Sequence, residues 1–115
     1  MAKIGTQEFI QEQIRKYRDD PFRKAFFMAV SINEETTKHI DDLYDFEVEG
    51  IKPEGLKEHW QTGMSLQATM LAFNLFNGYV EDGVAAYTYT PYHLIARNAE
   101  IRAKQFQAIN ALFGG

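Results

Sequence analysis

The sequence predicts an all-α fold: a compact single-domain bundle of five or six helices with an irregular Tyr-rich loop. Three observations carry this expectation. Apolar residues recur at helical spacing in successive segments, and helix start and stop signals separate those segments. Only residues 84–90 show the alternation of a strand, which would have nothing to pair with. The length of 115 residues, with 45% hydrophobic and 24% charged side chains, fits one ordinary globular domain.

The elements follow in chain order. Thr6 or Gly5 opens a first helix, with Ile10, Ile14 and Tyr17 on one face. Glu8 and Glu12 lie near its start and Arg15, Lys16 and Arg18 near its end, the order that suits the helix dipole. Asp20-Pro21 stops it and starts another, Asp20 as N-cap and Pro21 preset for the first helical position. Residues 22–32 are apolar on most faces and predict a central, largely buried helix. Asn33-Glu34-Glu35 caps a third, on which Thr36, Ile40, Leu43 and Tyr44 follow at helical spacing. Gly50, Pro53, Gly55 and Gly63 then predict a loop, with one short helical turn over 53–58. Ser65 is expected to cap a strong helix through Asn77, with Gly78 just past its end. Its stripes are Leu66, Met70, Phe73 with Phe76 or Asn77, and Leu71 with Leu75. Residues 79–90 read as an ordered loop. Thr90-Pro91 restarts a helix that is interrupted near Asn98, and Ile101 or Arg102, Phe106, Ile109 and Phe113 form the last stripe.

Composition excludes several function classes. Cysteine is absent, which removes disulfides, thiolate metal sites and thiol nucleophiles and fits a reducing compartment. The N-terminus lacks an apolar stretch of signal-peptide length, and 71–76, the most apolar run, is far short of the ~20 residues of a membrane span. A cytoplasmic chain with no membrane partner is expected. Net charge is −4, divided along the chain as +2 for residues 1–30, −6 for 31–60, −2 for 61–90 and +2 for the rest. No basic stripe exists to neutralise phosphates, so double-stranded DNA is not an expected partner.

Four strings together resemble a family of small uncharacterised proteins encoded by phages and mobile elements of Gram-positive bacteria. They are Asp42-Leu43-Tyr44-Asp45-Phe46, Ile51-Lys52-Pro53-Glu54, Leu71-Ala72-Phe73-Asn74-Leu75-Phe76-Asn77-Gly78-Tyr79, and Thr90-Pro91 before a closing amphipathic helix. The resemblance covers roughly residues 20–114, and the third string is its specific part. The family more often carries Tyr where this chain has Phe76, so that polar handle is missing here. The resemblance implies a helical fold and a phage or mobile-element setting, and brings no activity with it.

Candidate chemistry is sparse. Glu35, His39 and Asp42 share a helix face and offer oxygen and nitrogen ligands, yet the same spacing describes a solvated face, and no metal is expected. Asp41, Asp42, Asp45, Glu47 and Glu49 read as a solvated acidic surface. His39, His59 and His93 are widely spaced without a zinc-hydrolase pair. Residues 63–67 lack the second glycine of a nucleophile elbow, and Gly50 and Gly55 lack the Lys-Ser/Thr of a phosphate loop. A His93 or His59 general base has no evident nucleophile or orienting partner nearby in sequence. No catalytic residue, cofactor or enzymatic activity is predicted.

Two features remain. Asn74 and Asn77 interrupt an apolar helix, and buried amides must find partners, so they are expected to tie the following loop to the core or to line a polar pocket. Trp60, Tyr79, Tyr87, Tyr89, Tyr92 and His93 gather in or beside irregular segments, whereas most of the 9 Phe lie on helical stripes. Tyr and Trp offer rigid contact area with a polar tip, the chemistry of interfaces. The expected function is therefore a non-catalytic accessory protein that binds a host protein, to modulate the host or counter a defence system. The alternatives are sequestration of a small nucleotide ligand, its base stacked on Tyr87, Tyr89 or Trp60 with Arg97 or Arg102 near phosphate, and a homo-oligomeric structural role.

Overall fold

Thr6 begins the first helix as its chemistry demands. In the computed structural model, which describes residues 2–80 and 89–113, its backbone is extended and its hydroxyl accepts from the Phe9 N–H, starting α1 (Gln7–Lys16). Asp20 repeats the device, accepting from the Arg23 N–H with Pro21 at the first helical position of α2 (Pro21–Val30). Asn33 opens α3 (Glu34–Lys38), its Oδ1 accepting from the Glu35 and Thr36 N–H groups. Thr36 and Thr37, both buried, donate their hydroxyls to the Val30 carbonyl at 2.6 and 3.2 Å. These bonds satisfy the last carbonyl of α2 and tie α3 to its end.

Here the structure departs from the periodicity. α3 stops at Lys38 rather than continuing to Tyr44, and a 3₁₀ turn (Ile40–Asp42) leads into a two-stranded antiparallel ribbon. The strands are β1 (Tyr44–Asp45) and β2 (Gly50–Ile51), with Tyr44 opposite Ile51 and Asp45 opposite Gly50. Local bonds favour the turn. Asp45 Oδ1 accepts from the Glu47 and Val48 N–H groups, Glu49 takes a positive φ of 56°, and the Lys52 N–H reaches the Leu43 carbonyl. Ile40, Leu43 and Tyr44 are nonetheless buried. Their inward positions come from the turn and ribbon, not from one helix.

The expected short turn is a 3₁₀ helix over Pro53–Lys57. Gly55 lets it press on the preceding turn, since a Cβ there would lie 2.5 Å from the Asp42 carbonyl oxygen. α4 (Gly63–Asn77) is capped three residues before the expected position. Thr62 is the N-cap, and Ser65 completes a reciprocal capping box, its hydroxyl accepting from the Thr62 N–H at 2.7 Å. Gly78 ends the helix in the left-handed conformation, φ 77°. The alternating 84–90 segment falls outside the described residues except for Tyr89 and Thr90. α5 (Pro91–Leu94) and α6 (Ala99–Phe113) complete the chain, with Asn98 accepting from the Ile101 N–H at the start of α6.

The core is organised around α2, which packs against α1, α4 and α6 and buries Ala25, Phe26, Phe27, Ala29 and Val30. Phe26 lies in ring contact with Phe27, Tyr44, Phe73 and Phe76, which joins α2, the ribbon and α4 in one aromatic cluster. The architecture is thus mostly α, a single helical unit with one small ribbon. The α6 stripe is rotated from expectation. Gln105 and Ala108 are its buried residues, while Phe106 is 52% and Phe113 77% exposed. Gln105 sets that rotation: Oε1 accepts from the Ala96 N–H at 2.7 Å and Nε2 donates to the Leu94 carbonyl at 2.8 Å.

One polar network closes the other end of α2. The Arg23 guanidinium donates to Asp20 Oδ2 at 2.8 Å, to the Glu49 carbonyl at 2.7 Å and to the Tyr44 hydroxyl at 3.2 Å. It also lies over the Phe76 and Tyr17 rings. Burial alone would raise the Asp20 carboxyl, but the Arg23 side-chain and backbone hydrogen bonds outweigh it and hold the group below its usual range. The Asp20 bond in turn keeps the guanidinium firmly protonated. Tyr17 donates to the Glu49 carboxylate; burial first, then that bond, pushes its hydroxyl well above the usual phenol range.

Candidate groove beside Tyr92

The segment from Pro91 to Asn98 runs as a strap bonded to both α4 and α6. Leu94 anchors it at 3% exposure, Gln105 grips the backbone on either side of Ile95, and Gln67 Nε2 on α4 donates to the His93 carbonyl at 3.0 Å. Two buried or half-buried amides thus position a four-residue helix that could not hold itself. Beneath the strap lies a groove of about 450 Å³. Ile32 and Asn33 from the α2–α3 turn form one side, Met64, Gln67 and Ala68 on α4 another, and Ile101 with Gln105 on α6 the floor. Tyr92, His93, Arg97 and Asn98 complete it from the strap. Its volume is that of a small-ligand or single-peptide site.

The rim is exposed and free of carboxylates. Tyr92 is 80% and Met64 61% exposed, and no Asp or Glu is among the lining residues. Arg97 is exposed and has no ion pair among the described residues. Asn33 and Asn98 each use Oδ1 to cap a helix, and neither NH₂ group donates a hydrogen bond among the described residues.

The residues singled out from sequence occupy several places, not one. Tyr92 and His93 line the groove, with rings edge-to-face at 5.1 Å. Tyr79 is half-buried against Phe73 at 5.8 Å, and buried Tyr89 meets Tyr79 at 6.4 Å, so these two cover the core. Asn74 Nδ2 donates to the Tyr79 carbonyl at 3.2 Å, tying the start of the following segment to α4 as expected. Asn77 does not share this role: it is exposed on the last turn of α4, because the chain turns away at Gly78 immediately after it. Tyr87 lies outside the described residues.

Trp60 is elsewhere, stacked on His39 at 4.5 Å with its indole N–H donated to Asp42 Oδ2 at 2.9 Å. His39 in turn faces Glu35 through Nε2 at 3.4 Å and Asp42 through Nδ1 at 3.8 Å. The Glu35, His39, Asp42 spacing therefore does bring the three together, although the helix breaks between them. Their carboxylates flank opposite edges of the imidazole rather than converging on a point. No group of three His, Cys, Asp or Glu among the described residues is placed to hold a metal ion.

Sequence reasoning missed Asn33, Met64, Gln67 and Gln105 as parts of the groove. Gln105 carried a signal, a long amide on what proves to be the inward face of an amphipathic helix. Met64 carried none, being one apolar residue in the first turn of a largely apolar helix.

Among the described residues no helix is long and apolar enough to cross a membrane. Searches of curated proteins and of solved structures find no match. A family model described as a family of unknown function, DUF6075, matches residues 3–115, and so takes in α1 as well as the strings from Asp42 onward. Covering nearly the whole chain, that match establishes that the protein belongs to the DUF6075 family.

Proposed function

We propose that this chain is a non-catalytic accessory protein of a phage or mobile element, working in the bacterial cytoplasm by binding a host protein through the groove beside Tyr92. The observation that carries this reading is the pairing of two exposed anchors, Tyr92 and Met64, across a groove whose strap Gln67 and Gln105 hold in place. Rigid aromatic and adaptable thioether contacts on a pre-organised frame suit protein recognition, because little entropy is lost on docking. Modulation of the host, or obstruction of a defence system, is the role that such a binder would serve.

Affinity capture from bacterial lysate, comparing the native chain with Tyr92→Ala, tests this. A partner retained by the native chain and lost by the variant supports the reading. Capture that is indifferent to Tyr92 refutes the groove as the binding face.

Two other readings each have one observation behind them. The proximity of Tyr92 and Arg97 in the groove suits a small nucleotide ligand, a different aromatic from those the sequence suggested; native mass spectrometry with a nucleotide panel tests it. Phe106 and Phe113, outward on α6, suit a homo-oligomeric contact, which light scattering would reveal as a mass above that of one 13.3 kDa chain.

A further inference from the structure

We infer that the groove receives an extended acidic peptide segment carrying one apolar side chain, an inference that rests on reading this face as a protein-binding surface. Charge is the first argument. The chain is net −4, yet the groove is lined by Arg97 and no carboxylate, and Arg102 adjoins it, donating Nη1 to the Arg97 carbonyl at 3.0 Å. An anionic partner meets a guanidinium and no carboxylate in the lining of this groove, so it is not repelled there as it is by the acidic surface of residues 31–60.

Hydrogen-bonding capacity is the second. The NH₂ groups of Asn33 and Asn98, freed by the capping role of their oxygens, are donors for a carboxylate or a peptide carbonyl. Gln67 has the complementary vacancy: its Nε2 is committed to the His93 carbonyl, which leaves Oε1 as an acceptor for a peptide N–H. Both signs of backbone group can therefore be met, which an extended chain needs and a simple anion does not.

The apolar walls supply the third. Met64, Ile32, Ile101 and Ala68 enclose a space for an aliphatic or aromatic side chain, and an exposed Met adapts to its shape. A nucleotide is less well served. Tyr92 has its neighbour His93 edge-on at 74° instead of a second parallel ring, so a base would be stacked on one side only.

The test uses the 115-residue chain and fluorescein-labelled hexapeptides in which a single central Leu is flanked by Asp and Glu, or by Lys. Fluorescence anisotropy is expected to show binding of the acidic peptide only, weakening with added salt. Arg97→Glu should weaken it about tenfold or more, since a charge-assisted bond is replaced by repulsion. Met64→Ala should weaken it several-fold while the salt dependence persists. Circular dichroism melts of both variants should match the native chain. Absence of binding, equal binding of the Lys peptide, or indifference to Arg97→Glu overturns the inference. Displacement of the labelled peptide by adenosine monophosphate at equal or lower concentration also overturns it, in favour of a nucleotide site. If lysate capture depends on Tyr92 while the acidic peptide does not bind, the protein-binding reading stands and the peptide class falls. If the peptide binds through Arg97 while no partner is captured, the inference stands and the host-protein reading falls.

Discussion

Replacing Arg23 by Met removes the guanidinium from the junction of α1, α2 and the ribbon while keeping most of the aliphatic stem. Three hydrogen bonds disappear, to Asp20 at 2.8 Å, the Glu49 carbonyl at 2.7 Å and the Tyr44 hydroxyl at 3.2 Å, together with the contact over the Phe76 ring. Hydrogen bonds to charged groups contribute roughly 1.5–3 kcal/mol each when well desolvated. The Arg23 and Asp20 side chains keep 28% and 32% of their exposure, so water competes and the low end applies. Allowing for recovered packing by Met, the expected loss is about 3 kcal/mol. Urea denaturation should show the midpoint falling by about 1.5–2 M with an unchanged slope, and the melting temperature should drop by roughly 10–15 °C.

A pH signature accompanies this loss. Native Asp20 ionises below its ordinary 3.8, so between the two values the unfolded chain binds more protons and stability rises with pH. That contribution is present above 3.8 and is lost as pH falls through the lowered folded value. Arg23→Met should flatten this acid limb. A loss below about 1 kcal/mol with an unchanged acid limb would refute the reasoning, because the guanidinium would then be exchanging water for protein at no net gain.

Other expectations follow from single contacts. Tyr17→Phe should lessen the alkaline loss of stability: above 10.0 the unfolded phenol gives up a proton that the buried native hydroxyl retains, so native stability falls as pH rises, and paired denaturation curves across that range would show the difference. Gly55→Ala should cost about 1–3 kcal/mol by thermal melting, because the new methyl meets the Asp42 carbonyl at 2.5 Å. Thr62→Ala should cost about 1 kcal/mol by loss of the α4 cap, measurable in the same melts.

Much of the frame was legible because it is local. Thr6, Asp20-Pro21, Asn33 and Gly78 act where their own side chains or backbone freedom place them, and each begins or ends a helix as expected. Thr62 was missed in favour of Ser65 because both belong to one capping box and either hydroxyl alone gives the same signal. The ribbon was missed because Thr36, Ile40, Leu43 and Tyr44 keep helical spacing while reaching the core by another path. The candidate site was less legible still: of eight residues proposed, Tyr92 and His93 reach the groove, while Tyr79, Tyr89 and Asn74 seal the core and Trp60 packs on His39.

Composition, capping chemistry and hydrophobic period are short-range properties, so they sufficed for the helical class, the starts of α1, α2 and α3, and the central place of α2. Which face of α6 turns inward shows only in the tertiary structure, where Gln105 is buried with both ends of its amide bonded to the backbone around Ile95 while Phe106 and Phe113 stay exposed. The groove exists only because those bonds and Gln67 bring the strap over α4. A cavity belongs to no single element, and only the packing of distant ones creates it.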